Sequence, residues 1–203
     1  MCVTEIFSII KDIALAGAAC VTAYVAYTGL GKWQQELSGK ANFDVARDLA
    51  KSIYALRDEI SYCRSPFTAG HEFPEGYRGG FGNHTDEEEG QAWAHVYSKR
   101  WEPVGKAIQA LDTATLEAEA LWGKEIKEKA AALRKSTRSL QVDIEAFIHN
   151  KYSGGENFKD REFAKQVEYA IWDVKADENK LTQEINTAIE DLESAIRPHL
   201  SRS

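Results

Sequence analysis

Residues 13–31, IALAGAACVTAYVAYTGLG, carry no formal charge, and no other stretch limits the fold as strongly. A helix of about 20 predominantly apolar residues crosses the hydrocarbon core of a bilayer. Lys32 and Trp33 follow directly, a cation and an aromatic suited to the interface. The stretch is rich in Ala, Gly, Thr and Tyr, with Ile13, Leu15, Val21, Val25 and Leu30 as its strongly apolar members. It extends back through Ile6, Phe7, Ile9 and Ile10, interrupted only by Lys11 and Asp12. Those two can lie at the outer interface, with the lysine stem snorkelling. Three other identities compete with a span. A secretory signal wants a positive segment ahead of its apolar core, whereas here Lys11 is followed by Asp12. A lipoprotein signal cleaved before Cys20 would place Gly17 where Leu is usual. A small-residue helix could also be buried in a soluble bundle. The expectation is a membrane anchor over residues 1–32, spanning at about 13–31.

Flanking charge orients the span. Lys32, Lys40, Arg47 and Lys51 follow it, against Lys11 before it. An excess of Lys and Arg marks the cytoplasmic side, so residues 33–203 are expected in the cytoplasm, behind a single pass. Cys2, Cys20 and Cys63 show no metal-type spacing and no disulfide framework, as a reducing compartment predicts. Within the anchor, Ala16, Ala19, Cys20 and Ala23 fall on one helical stripe. Small residues at such spacing let helices approach closely in lipid. The expectation is a homo-oligomer, most simply a dimer, packed through that stripe.

Beyond the anchor the chain reads as helix. It holds four prolines in 203 residues, and no β alternation of any length is present. Ala46, Leu49, Ile53, Leu56, Ile60 and Cys63 predict a helix near 43–64. Thr85 and Glu88 form a T-x-x-E capping box that opens a second helix, lined by Trp93, Tyr97, Trp101, Val104, Ile108, Leu111, Ala118 and Trp122. Pro103 inside it predicts a kink or a short break. The stripe loses phase at Gly123, where a turn is expected, and restarts as a heptad seam from Ile126 to Phe147. After turn residues 153–158, one long helix is expected from Phe163 to Leu200. The fold class is all-α: an N-terminal transmembrane helix followed by an antiparallel up-and-down helical bundle with coiled-coil-like seams.

The net charge of −7 argues against nucleic acid as a partner, because phosphate neutralisation needs a basic surface. Charge is nonetheless uneven. Residues 124–138 are basic and residues 177–193 acidic, which reads as two helix faces attracting each other. The alternative is a basic face for anionic lipid headgroups.

Residues 65–84, SPFTAGHEFPEGYRGGFGNH, escape the helical pattern. Five glycines, two prolines and four aromatics make this a long loop. Loops of this length are often functional. One reading is a lid burying Phe67, Phe73, Tyr77 and Phe81 against the bundle; the other is a surface for an unknown protein partner.

No catalytic constellation emerges. The five histidines make no metal-type motif, no phosphate loop is present, and no cofactor is implied. Five residues separate Arg78 from His84, a spacing that resembles the Arg–His motif of small helical ribonucleases. In that family the motif lies at a helix N-terminus in a dimer cleft; here Gly79, Gly80 and Gly82 intervene. Arg57, Asp58 and Arg64 could form a polar pocket beneath the loop, or a surface ion pair. The candidate binding residues are therefore Arg57, Asp58, Arg64, Arg78 and His84.

The pattern Trp33, Leu37, Gly39, Phe43, Ala46-Arg47, Leu49, Tyr54, Leu56-Arg57-Asp58, Ile60, Arg64, Pro66-Phe67, with Leu121-Trp122-Gly123 downstream, resembles a group of uncharacterised bacterial proteins. These carry an N-terminal apolar helix ahead of a helical domain. The resemblance implies a bacterial inner-membrane setting and transfers no activity. The expected function is a membrane-anchored helical bundle with a binding, scaffolding or effector role. The alternatives are a small helical nuclease through Arg78 and His84, or an effector that permeabilises membranes through oligomerised anchors.

Overall fold

Among the described residues the chain forms five α-helices and one 3-10 turn, and no strand. The computed structural model describes residues 3–77, 84–174 and 178–200, with side chains at position 11 and from 13 onward. Helix α1 is Val3–Cys63, α2 Asp86–Trp122, α3 Lys124–Tyr152, α4 Arg161–Ile171 and α5 Lys180–Leu200. Two compact units are present, divided between Asp44 and Val45; the sequence places its boundary at residue 32.

α1 runs unbroken where the sequence predicts an anchor and a separate helix from about 43. No proline falls within it, and Gly29, Gly31 and Gly39 have open space around them. Nothing local stops the helix. In the first unit the uncharged stretch is exposed on all sides, Ile13 at 68 %. The Thr22 and Thr28 hydroxyls donate to Ala18 O and Tyr24 O, so these polar groups are satisfied within the helix.

The second unit is built on seams with alternating steps of three and four. Ala46, Leu49, Ile53, Leu56, Ile60 and Cys63 of α1 are all buried, as the sequence predicts. They share one core with Tyr97, Val104, Leu111 and Ala118 of α2, Leu133, Leu140 and Phe147 of α3, and Ile185, Leu192 and Ile196 of α5. Thr85 caps α2 as expected: its Oγ accepts the Glu88 N–H at 3.2 Å, and Glu88 accepts the Thr85 N–H at 2.8 Å. α2 continues through Pro103 without a break. It ends at Gly123, whose φ of 87° is the left-handed conformation that suits glycine. α3 begins at the next residue. Ion pairs Glu119–Lys127, Asp112–Arg134 and Glu89–Lys151 then step along the two helices in opposite directions. Hydrogen bonds from Tyr54 to Glu193, and from Arg64 just past α1 to Thr182, step in the same way along α1 and α5.

Two expectations are corrected. The last helix is two, α4 and α5, separated at residues 172–179. The apolar phase carries across this gap, so periodicity does not reveal it. Carbonyls that would continue the helix are instead taken by side chains: Ala170 O by Arg64, and Tyr169 O by Arg64 and Asn179. Phe67 does not bury with the loop; it is 76 % exposed. The basic run of α3 divides: Lys135 and Arg138 share a cleft with Glu178 and Glu184 of the acidic run. Lys127 and Arg134 reach Glu119 and Asp112 of α2, the neighbour that the Gly123 turn brings alongside.

Candidate functional site

Two buried arginines organise one end of the second unit. Arg100, 2 % exposed, occupies a seam position of α2 between Tyr97 and Val104. Its guanidinium donates to Ser65 O at 2.8 Å, Phe67 O at 2.7 Å and both Glu72 oxygens at 2.6 and 3.1 Å. The cation thereby closes the carbonyl end of α1, where the helix dipole is negative, and fastens the following loop. Arg64, also 2 % exposed, does the same for α4 through Ala170 O at 2.7 Å and Tyr169 O at 3.1 Å. It also meets Thr182 Oγ1 at 3.0 Å, Asn179 Oδ1 at 3.1 Å and, at 3.6 Å, the Asp173 carboxylate.

The charges follow this geometry. The hydrogen bond from Arg100 holds the Glu72 carboxyl below its ordinary value. Burial lowers Arg64, with Asp173 opposing. Cys63, directly before Arg64 in sequence and within the field of both arginines, is pushed by burial up to about 12, so its thiol is no nucleophile at neutral pH.

Beside the arginines the loop presents its aromatics. Phe73 meets Trp93 edge-on at 5.4 Å and Tyr77 at 5.0 Å, and Tyr77 stacks on His84 at 4.3 Å. Trp93 continues the cluster to Phe147 at 5.3 Å. Phe73 and Tyr77 are half-buried. The described part of the loop therefore packs on α2 through Phe73, Tyr77 and Glu72.

A second feature lies on the outer side of the α4–α5 junction. A cleft of about 630 Å³ opens between α3, α4 and the start of α5, a size that holds small ligands. Lys135, Arg138, Ser139 and Asp143 of α3 line one wall, and Gln166 and Tyr169 of α4 another. Asp143 is half-buried, and burial raises its carboxyl above the usual 3.8. Sequence reading misses this site. Asp143 flanks the α3 seam beside Ile144, and α4 becomes a separate wall only because the last helix breaks.

The sequence-predicted candidates among the described residues have the following partners. Arg57 and Asp58 form an exposed ion pair at 2.8 Å, with the Arg57 guanidinium 4.9 Å from the Tyr54 ring. Arg64 is buried and committed to α4 and α5. His84 is half-buried against Tyr77, its Nε2 without a hydrogen-bond partner among the described residues. Arg78 and Phe81 lie outside the described residues. Ala16, Ala19, Cys20 and Ala23 are all exposed on α1. Among the described residues, no three His, Cys, Asp or Glu side chains gather as a metal site requires.

No protein-family model matches the chain, no curated protein matches it, and no solved structure matches it.

Proposed function

We propose that the chain is a single-pass membrane protein of the bacterial inner membrane. Its cytoplasmic part is an antiparallel up-and-down helical bundle with a binding, scaffolding or effector role. The observation that carries this reading is the exposure of the uncharged stretch of α1. Ile13, Leu15, Val21, Val25 and Leu30 face outward around the whole helix circumference, and the stretch is apolar enough to cross a membrane. A continuous apolar surface of this kind is unfavourable in water and favourable in lipid. It also lacks the burial that a core helix of a soluble bundle would have.

The same helix supplies the first seam of the bundle core from Ala46 to Cys63. Anchoring and folding thus share one element. The anchor self-associates through Ala16, Ala19, Cys20 and Ala23, and the 65–84 loop is the surface offered to a protein partner.

Alkaline carbonate extraction of membranes tests the anchor. The full chain stays in the pellet, and a chain beginning at residue 33 moves to the supernatant. Release of the full chain by carbonate would contradict the reading. A membrane-impermeant thiol reagent tests orientation: a cysteine placed at exposed Lys106 stays unlabelled in intact cells and reacts after lysis.

A further inference from the structure

We propose that the cleft between α3, α4 and the start of α5 binds a small dipolar ligand, its carboxylate on Lys135 and Arg138 and its protonated amine on Asp143. The inference deepens the binding role proposed above and is independent of the anchor.

Three observations carry it. First, the cleft balances its charge. Lys135, Arg138 and Lys180 line it together with Asp143, Glu178 and Glu184. Among the described lining residues, equal numbers of cations and anions disfavour a polyanion and favour a ligand that is neutral overall but has separated charges. Second, the balance is uneven within the cleft. Lys180 is already engaged with Glu184 at 3.8 Å, and Glu178 has an interaction of its own. Among the described residues, Lys135, Arg138, Ser139, Asp143 and Gln166 make no hydrogen bond or ion pair. The groups left for a ligand are thus two cations toward the start of α3 and one acid further along it. Third, Asp143 is half-buried and makes no ion pair among the described residues. A carboxylate so placed gains most from an incoming cation or donor.

Helix geometry sets the ligand length. Arg138 and Asp143 are separated along the α3 axis by about 7.5 Å, and Lys135 and Asp143 by about 12 Å. A ligand with its charges roughly 8–12 Å apart meets both ends at once. Three extended residues reach about 10 Å, so the zwitterionic tripeptide triglycine is a suitable probe. Gln166 and Ser139 can hydrogen-bond its peptide groups between the two ends.

The experiment is calorimetric titration of triglycine into the full chain in detergent. N-acetyl-triglycine and triglycine amide, each lacking one terminal charge, serve as comparators. Triglycine should bind saturably, and each capped form at least tenfold more weakly. Asp143→Asn should abolish the discrimination against the acetylated peptide and leave that against the amide. Arg138→Gln should do the reverse. That crossed pattern separates recognition from a general loss of fold, which would remove both preferences together. No saturable binding, equal binding of all three peptides, or tighter binding of inorganic triphosphate than of triglycine would each overturn the proposal. None of those results bears on carbonate extraction, so the anchor reading stands or falls separately.

Discussion

Arg100 Nε donates to Glu72 Oε2 at 2.6 Å, with the arginine 2 % exposed and the carboxylate 14 %. The pair joins α2 to the 3-10 turn Gly70–Glu72. Removing one member of a buried pair strands the other charge, which is more damaging than removing both. Glu72→Gln should therefore destabilise the bundle by about 3 kcal/mol at pH 7. The double variant Arg100→Met/Glu72→Met should lose less than the sum of the two single changes. The pH dependence has a definite sign. The folded Glu72 carboxyl lies below its ordinary 4.5, so its contribution is complete above that value and fades as pH falls through the lowered one. Urea midpoints of wild type and Glu72→Gln should accordingly converge in acid; a gap unchanged from pH 7 to pH 2 would refute the assignment.

Asn179 and Arg64 hold the α4–α5 junction in place. The Asn179 side chain accepts from the Thr182 N–H at 3.2 Å, as a cap does, and donates to the Tyr169 carbonyl. Asn179→Ala should cost about 1–2 kcal/mol, with amide exchange accelerated at residues 169–173 and 180–183 and unaltered in α2. Uniform acceleration across the chain would show that the junction has no local stability of its own.

These two arginines also explain what a sequence can and cannot reveal. The seam from Ala46 to Cys63, the Thr85 capping box and the Gly123 turn are local patterns, each complete within a few residues, and all three appear as predicted. The break at 172–179 is nonlocal. Phe163, Val167 and Ile171 continue in phase to Leu181 and Ile185, with neither Pro nor Gly between, and the stop comes from Arg64, the residue after α1. Arg100 was visible as a cation in an apolar seam, four residues before Val104 and three after Tyr97. Its carbonyl partners belong to a loop whose path the sequence does not specify. The cleft follows from that unseen break, so it was hidden as well.

Gly90 faces the root of the Tyr152 ring, and a Cβ added there would sit 2.4 Å from Tyr152 Cγ. The first ring atom cannot swing away without moving the whole side chain. Gly90→Ala should cost about 1–3 kcal/mol despite alanine's better helix propensity. Tyr152→Ser in the same chain should restore most of the loss. Additive effects in thermal melts of the two single variants and the double would contradict this contact.

The loop aromatics separate by burial. Phe67 is exposed and Phe73 packs edge-on against Trp93. Phe73→Ala should cost about 2 kcal/mol, less than the 3–5 of a fully buried ring. Phe67→Ala should leave stability within about 0.5 kcal/mol. If the loop serves a partner, Phe67→Ala is the change that weakens capture without unfolding. Equal destabilisation by both would return Phe67 to the packed side.

Cys20 tests self-association directly. It lies on the stripe with Ala16, Ala19 and Ala23, and it is exposed. Close approach of two such stripes brings backbones within packing distance, and in lipid that packing is a main source of helix association. The bulky Ile13, Val21, Val25 and Leu30 leave much of that stripe clear. The Cys63 thiol is buried and raised to about 12, so it stays silent in such an assay. With Cys2 and Cys63 replaced by serine, mild oxidation of membranes should yield a disulfide-linked dimer through Cys20. Ala16→Ile and Ala23→Ile should reduce it several-fold by forcing the stripes apart. A Cys20 that alkylates readily yet never cross-links would place the stripe against lipid and leave the anchor monomeric.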